Sequence, residues 1–338
     1  MEEQNISINT FKNLTQCTNI LQQSRYHSLI LYLPNTEYLL ILLFQWIIGF
    51  SIVNNLLTIQ TCLAKSIRIT NLGVYHLLLS LSNIIRCIFL EIAVICDIET
   101  LGRTPLYYIS SILLNLLNFS AMWYSSMIAC ERLLIECLDY PLYATRQRAF
   151  LLSFLLFLFV LLTQIPTFLL YFGRFSSSTM ISLLTKIVKS VEFANVLLTC
   201  LIHIVSSLFV LRNISVHKVY INFGEKTYWL VWRQQMKKHL DFFIPPLCYI
   251  FCILPWYLFK HVIYICERVD PTTASRLYFI LITLANIPFT MTFIIYVYPS
   301  NVYMNEFKRS MDMIMTNYFT CQWRRKSSAN IVQISVIS

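Results

Sequence analysis

Glycine is nearly missing from this chain, with five in 338 residues, and charge is thin, with Asp, Glu, Lys and Arg together making 12%. Soluble globular domains carry roughly a quarter of their residues as charges and about 7% glycine. Both scarcities exclude that class. Metal-ligand patterns are lacking too: no CxxC and no Cys/His cluster occurs, and the eleven cysteines sit mostly inside apolar runs (Cys130, Cys200, Cys248, Cys252), where they act as small hydrophobes. Zinc, haem or any other cofactor is not expected. No paired carboxylates and no nucleophile–base set share a helix face, which argues against an enzyme. The first twenty residues, MEEQNISINTFKNLTQCTNI, lack a basic n-region and an apolar core, so no cleavable signal peptide is expected and the first membrane helix does the targeting.

What the chain has in abundance is apolar length. Hydrophobic residues make up 57% and the mean hydropathy is +0.63, the composition of an integral membrane protein. A net charge of +10 would point a soluble chain toward nucleic acid. Here no basic patch with interleaved aromatics occurs, so no nucleic-acid partner is expected, and the basic residues read as topology determinants in a lipid bilayer.

Apolar runs of about 20 residues, the length needed to cross a bilayer core, occur at roughly 38–62, 72–96, 106–130, 150–172, 190–211, 240–266 and 277–300. The expected fold is therefore an all-α membrane protein with seven transmembrane helices, spanning 38–302. An N-terminal tail (1–37) precedes it. A C-terminal segment (303–338) follows, and begins with an amphipathic eighth helix, Tyr303 to Phe319, carrying Met304, Phe307, Met311, Ile314 and Met315 on one face. Seven crossings put the two ends on opposite sides. Sixteen Lys and Arg fall in the connections and tail on one side, including Lys65, Arg68, Arg146, Lys237 and Lys308, against nine on the other. The positive-inside rule then sets the N-terminus outside the plasma membrane and the C-terminus in the cytoplasm. Sequons at Asn5 and Asn13 fit an exterior, glycosylated tail. Cys321, between the eighth helix and the basic cluster Arg324-Arg325-Lys326, is a palmitoylation candidate, the alternative being an unmodified tail thiol.

Five landmarks recur along the runs. The third run ends in Glu131-Arg132-Leu133, followed by Pro141-Leu142-Tyr143 and a basic stretch. The first holds Asn54-Asn55-Leu56-Leu57 and the second Leu79-Ser80-Leu81-Ser82-Asn83. The sixth holds Tyr249-Ile250-Phe251-Cys252-Ile253-Leu254-Pro255, and the seventh Tyr298-Pro299-Ser300-Asn301-Val302-Tyr303. In order and separation these resemble the signatures of the rhodopsin-like (class A) G-protein-coupled receptors: Asp/Glu-Arg-Tyr, Gly-Asn-x-x-Val, Leu-Ala-x-Ala-Asp, Phe-x-x-Cys-Trp-x-Pro and Asn-Pro-x-x-Tyr.

The resemblance implies a receptor that binds an extracellular ligand and activates a heterotrimeric G protein. It assigns coupling to Glu131 and Arg132, and an activation switch to Asn55, Asn83, Tyr249, Cys252, Pro255, Tyr298, Pro299 and Tyr303. For Asn55 and Asn83, simple interhelical gluing by amide hydrogen bonds competes with a switch role. The chain also departs from the family. Asn83 stands where an aspartate is usual, so no sodium site is expected. Ile253 replaces the toggle tryptophan, Tyr298 replaces the asparagine, and Gln235 stands near a usual acid, implying a weaker closed-state clasp. Tyr107 replaces the cysteine at the top of the third helix, and the second outer loop, Gly173 to Lys189, has none. Cys17, Cys96 and Cys266 remain on the exterior, and Cys17 with Cys266 would tie the tail to the third outer loop.

Ligand candidates lie in the outer half of the runs: Arg86, Glu91, Leu114, Asn115, Asn118 and Asn286. Leu114 stands where amine receptors carry an aspartate, which disfavours an amine. A peptide or a small semi-polar molecule suits the mixed set. Charges within a membrane are functional candidates by default, though Arg86 and Glu91 could instead pair structurally or snorkel. The competing class is a seven-helix chemosensory channel or transporter. Transporters favour internal repeats with Gly- or Pro-broken helices in matching places, and no such repeat is found.

Overall fold

The computed structural model describes residues 36–68, 70–98, 105–138, 146–173, 177–221, 228–238, 240–261 and 271–316. Asn5, Asn13, Cys17, Cys266, Cys321 and the segment Pro141-Leu142-Tyr143 lie outside them. Among the described residues there is no strand. Helices run in the order α1 (Thr36–Leu63), α2 (Lys65–Arg68), α3 (Asn71–Ile98), α4 (Pro105–Leu138), α5 (Arg146–Thr163), α6 (Ile165–Phe172), α7 (Ser178–Ile221), α8 (Tyr228–Lys238), α9 (Leu240–Cys248), α10 (Leu254–His261) and α11 (Pro271–Thr290). A final helix, α12, covers 301–316.

Among the described residues six stretches are long and apolar enough to cross a membrane: Leu42–Leu63, Asn71–Ala93, Pro105–Cys137, Arg146–Phe172, Ser178–Lys218 and Phe243–Lys260. The expected all-α membrane protein is thus found. The seventh run is divided: only Ile280–Thr290 of α11 is strongly apolar and helical, because α11 opens on the polar Pro271 to Arg276 and its register changes beyond Thr290. Large apolar side chains cover the outside of the bundle, as with Phe154, Leu155 and Leu162 on α5 and Leu201, Leu208 and Phe209 on α7. Such surface suits hydrocarbon, where a helix satisfies its own backbone groups.

Burial ranks the helices. In α4, 61% of the apolar window is buried, against 22% for α5 and α6 together, so α4 is the central post and α5–α6 the periphery. Side-chain pairings give directions. Ser51 meets Cys87 and Asn55 meets Asn83, so α1 and α3 are antiparallel. Trp123 meets Asn195 and Asn213 meets Glu136, so α4 and α7 run parallel. Lys218 meets Gln235 and Glu192 meets Lys260, making α7 antiparallel to the α8–α10 stretch.

Two boundaries differ from expectation. The outer loop read at Gly173 to Lys189 is largely helix, since α7 begins at Ser178. Its first turns carry Ile181, Leu184 and Val188 at helical spacing, and Leu184 is buried. With 44 residues, α7 is roughly 66 Å long at 1.5 Å per residue, about twice the hydrocarbon thickness. At the other end α4 continues to Leu138, so Glu131 and Arg132 sit inside a helix rather than at its end. On α12, Met304, Phe307 and Met311 are partly buried while Ile314 and Met315 are exposed. The expected apolar face is covered for two turns only.

Between α2 and α3 the backbone makes a close approach. Thr70 donates its hydroxyl to Ile67 O at 2.7 Å and accepts from Gly73 N–H at 3.1 Å, capping α3. A Cβ on Gly73 would stand 2.3 Å from Ile67 O, so this junction needs glycine.

The sixth and seventh segments each contain a five-residue π turn, at Tyr249–Ile253 and Phe293–Val297. Leu254 N–H donates to Tyr249 O, and Tyr298 N–H to Phe293 O at 2.9 Å, both five residues back. Each turn ends two residues before a proline, Pro255 or Pro299. Proline has no N–H and its ring crowds the carbonyl four residues earlier, Phe251 or Ile295 here. Widening that turn by one residue relieves the crowding. Pro255 is thus accommodated by a π turn on its N-terminal side.

Candidate functional site

Polar groups of the interior lie in tiers. In the first, Asn55 is fully buried and bonds to three segments. Its Nδ2 donates to Ser51 O at 2.8 Å and to Phe289 O at 3.1 Å. Its Oδ1 accepts from Thr292 Oγ1 at 2.9 Å and from Asn83 Nδ2 at 3.4 Å. The amide thereby joins α1, α3 and the end of α11. Asn54, by contrast, donates to Phe50 O of its own helix.

One turn along α3 lies the second tier. Arg86 is 2% exposed. Its Nε donates to Asn118 Oδ1 and its Nη2 to Asn286 Oδ1, while the guanidinium carbon sits 4.5 Å from the centre of the Phe289 ring. Asn286 Nδ2 donates to Ile282 O at 2.6 Å. Arg86, Asn118 and Asn286, read separately from three runs, thus meet. Glu91 is exposed, five residues along α3, and takes no part. Leu114 and Asn115 are half-buried on α4. Further along, Lys260 Nζ lies 2.6 Å from Glu192 Oε2, an ion pair between α7 and α10.

A third tier centres on Ser125 of α4, whose hydroxyl bonds His203 Nε2 at 3.0 Å and Tyr296 OH. Tyr249 stacks on His203, with ring centroids 4.8 Å apart and planes at 17°. His76 receives the rings of Tyr296 and Tyr303 edge-on, at 5.1 and 5.2 Å. Cys252 is buried nearby on the same segment as Tyr249. Sequence reasoning singled out Tyr249 and Tyr303 but passed over Ser125, His203, His76 and Tyr296. A histidine in the middle of an apolar run was the available signal, since intramembrane ionisable residues are rare and face the interior.

Below that tier lies a small, partly open cavity of about 20 Å³, lined by Ser125, Arg132, His203, Ser206, Pro245, Pro246 and Tyr296 among others. Arg132 is 7% exposed and Glu131 4%, so both charges are inside the protein near this cavity. Gln235 is also buried, and its Oε1 accepts from Lys218 Nζ at 2.9 Å. Of the seventh-segment residues read from sequence, Tyr303 is buried, Pro299 half-buried, and Tyr298 is 65% exposed. Pro255 is half-buried behind its π turn. The interior positions near Asn55 and Ser125 are held instead by Thr292 and Tyr296. Among the described residues no three His, Cys, Asp or Glu side chains gather as a metal cage would require.

The chain matches no protein-family model and no curated protein sequence.

Proposed function

We propose that this chain is a divergent rhodopsin-like receptor of the plasma membrane, with its N-terminus outside, that activates a heterotrimeric G protein when an extracellular ligand binds. On this reading α11 and the π turn after it form the seventh crossing, and α12 lies along the inner membrane surface as an eighth helix. The observation that carries the proposal is the Asn55 node, where one amide joins the first, second and seventh segments. The family's Asn-Pro-x-x-Tyr spacing is then matched by Thr292-Phe293-Ile294-Ile295-Tyr296 without its proline, in preference to Tyr298-Pro299-Ser300-Asn301-Val302-Tyr303. Thr292 takes the asparagine's place beside Asn55, and Tyr296 the tyrosine's place in the core.

The mechanism follows from the tiers. A ligand acting at the level of Arg86 biases the packing of α3, α4 and α11. The Asn55 node and the Ser125–His203–Tyr296 set transmit that bias through contacts with discrete alternatives. The π turn at Tyr249–Ile253, where the helical ladder is already broken, lets α9 swing relative to α10. The cavity beside Arg132 then opens, and the guanidinium reaches a partner's helix end.

The test is Arg132→Ala, with surface level and G-protein activation measured in parallel against wild type. Normal delivery with signalling lost supports the reading. Normal delivery with signalling intact removes Arg132 from coupling and overturns it.

A further inference from the structure

A guanidinium stays charged at neutral pH, and burying one without a counter-charge is costly. Arg86 is buried about two-thirds of the way along an apolar stretch long enough to cross a membrane, yet it meets two neutral amides and a ring face. The acids of the bundle lie elsewhere among the described residues. Glu192 is held by Lys260, Glu91 is exposed, and Glu131 is thirteen residues beyond Asn118 on α4, roughly 20 Å away at 1.5 Å per residue. Arg86 Nη1 is buried and makes no hydrogen bond. Asn118 accepts from Arg86 Nε with its Oδ1, and its amide nitrogen is a donor on the same side chain. The Phe289 ring closes one face of the guanidinium, leaving the in-plane N–H edge as the direction of approach. That edge matches a carboxylate or a halide, which are acceptor-only.

We infer that Arg86 and Asn118 form a binding point for a single monovalent anion, either the carboxylate of a small organic ligand or an inorganic halide. The anion supplies the counter-charge that the bundle itself does not. Amides on α4 and α11 hold the guanidinium so that Nη1 is presented rather than folded back. The site stands on its own geometry; its role as the handle of the activating ligand rests on the receptor reading above.

The experiment uses the full chain in lipid nanodiscs and follows thermal unfolding, with no G protein present. Sodium chloride, acetate and hexanoate are titrated separately at constant ionic strength set with sodium sulfate. Wild type is expected to show a saturable rise in Tm. In Arg86→Gln the half-saturating concentration rises at least tenfold or the response vanishes. If Arg86→Gln fails to fold, Asn118→Leu, which keeps the charge and removes the second donor, is expected to weaken the response several-fold. Hexanoate outperforming acetate identifies an organic carboxylate as the occupant, and a response to chloride alone identifies a halide. No saturable response in wild type, or an equal response in wild type and both variants, overturns the proposal. Because the readout is stability, its failure leaves the coupling role of Arg132 untouched, and failure of the Arg132 test leaves the anion site standing.

Discussion

Thr292 donates its hydroxyl to Oδ1 of Asn55 at 2.9 Å, joining positions 237 residues apart in the chain. With the Asn55 Nδ2 bond to Phe289 O at 3.1 Å and the Thr58 hydroxyl 3.4 Å from Thr292, it gives the seventh segment a polar seam against α1, where apolar contact alone gives little directional preference in lipid. The amide fixes which residue of the seventh segment faces the first.

Asn55→Leu is expected to destabilise the protein by about 1–3 kcal/mol, because Phe289 O and the Thr292 hydroxyl lose a partner in a buried site. Thr292→Val removes the bond to Asn55 and the longer one from Thr58, and is expected to cost about 0.6–1.7 kcal/mol, the range for interhelical hydrogen bonding in a membrane. Unfolding in mixed detergent micelles measures both. Equal, negligible effects would show the node to be idle.

The two glycines with described surroundings predict opposite outcomes. Gly73→Ala places a methyl 2.3 Å from Ile67 O and is expected to cost about 1–3 kcal/mol through a forced backbone shift. Gly49→Ala, in the middle of α1 with nothing within 4 Å of the new methyl, is expected to stabilise by about 0.5–1 kcal/mol. Tm measurements on the two variants side by side check the sign of each.

The Glu192–Lys260 pair joins α7 to α10, with Glu192 buried and Lys260 about a third exposed. Lys260→Met removes the cation beside a buried carboxylate and is expected to cost more than Glu192→Gln, which leaves an ammonium that can turn to solvent. The exposed side lowers the full penalty for breaking a buried pair, giving about 1–3 kcal/mol for Lys260→Met. A double-mutant cycle on Tm isolates the coupling, and additive single effects would show the pair to be incidental.

Topology is tested by an epitope tag at Met1. On the proposal of seven crossings, which sets sixteen basic residues against nine, the tag is expected to stain on intact surface-expressing cells. Staining only after permeabilisation would reverse the orientation and remove the receptor proposal with it.

Much of the fold was legible because crossing a bilayer requires long apolar helices, and hydropathy reports that directly. Helix ends were less legible. Residues Ser178 to Lys189 include two lysines and four hydroxyls, so they read as loop, yet the helix extends through them because Leu184 finds a packing face. Hydropathy registers the solvent, and helicity here is set by contact.

The candidate site was half legible. Arg86 and Glu91 stand out equally as charges in one run, but five residues on a helix turn the side chain by about 140°. One faces the core, the other outward. In the seventh segment Pro299 drew the motif toward Tyr298 and Tyr303, whereas the π turn at Phe293–Val297 sets the rotation that brings Thr292 and Tyr296 inside.

By itself, then, the sequence determined the class of solvent around this protein, the approximate crossings and the set of polar residues held within them, since each follows from local composition and the cost of exposing polar groups to lipid. Only the tertiary structure decided which of those residues share a tier. The apolar outer faces tolerate any rotation in lipid, and it is the interlocking of buried amides, rings and one guanidinium across α1, α3, α4, α7 and α11 that selects a single one.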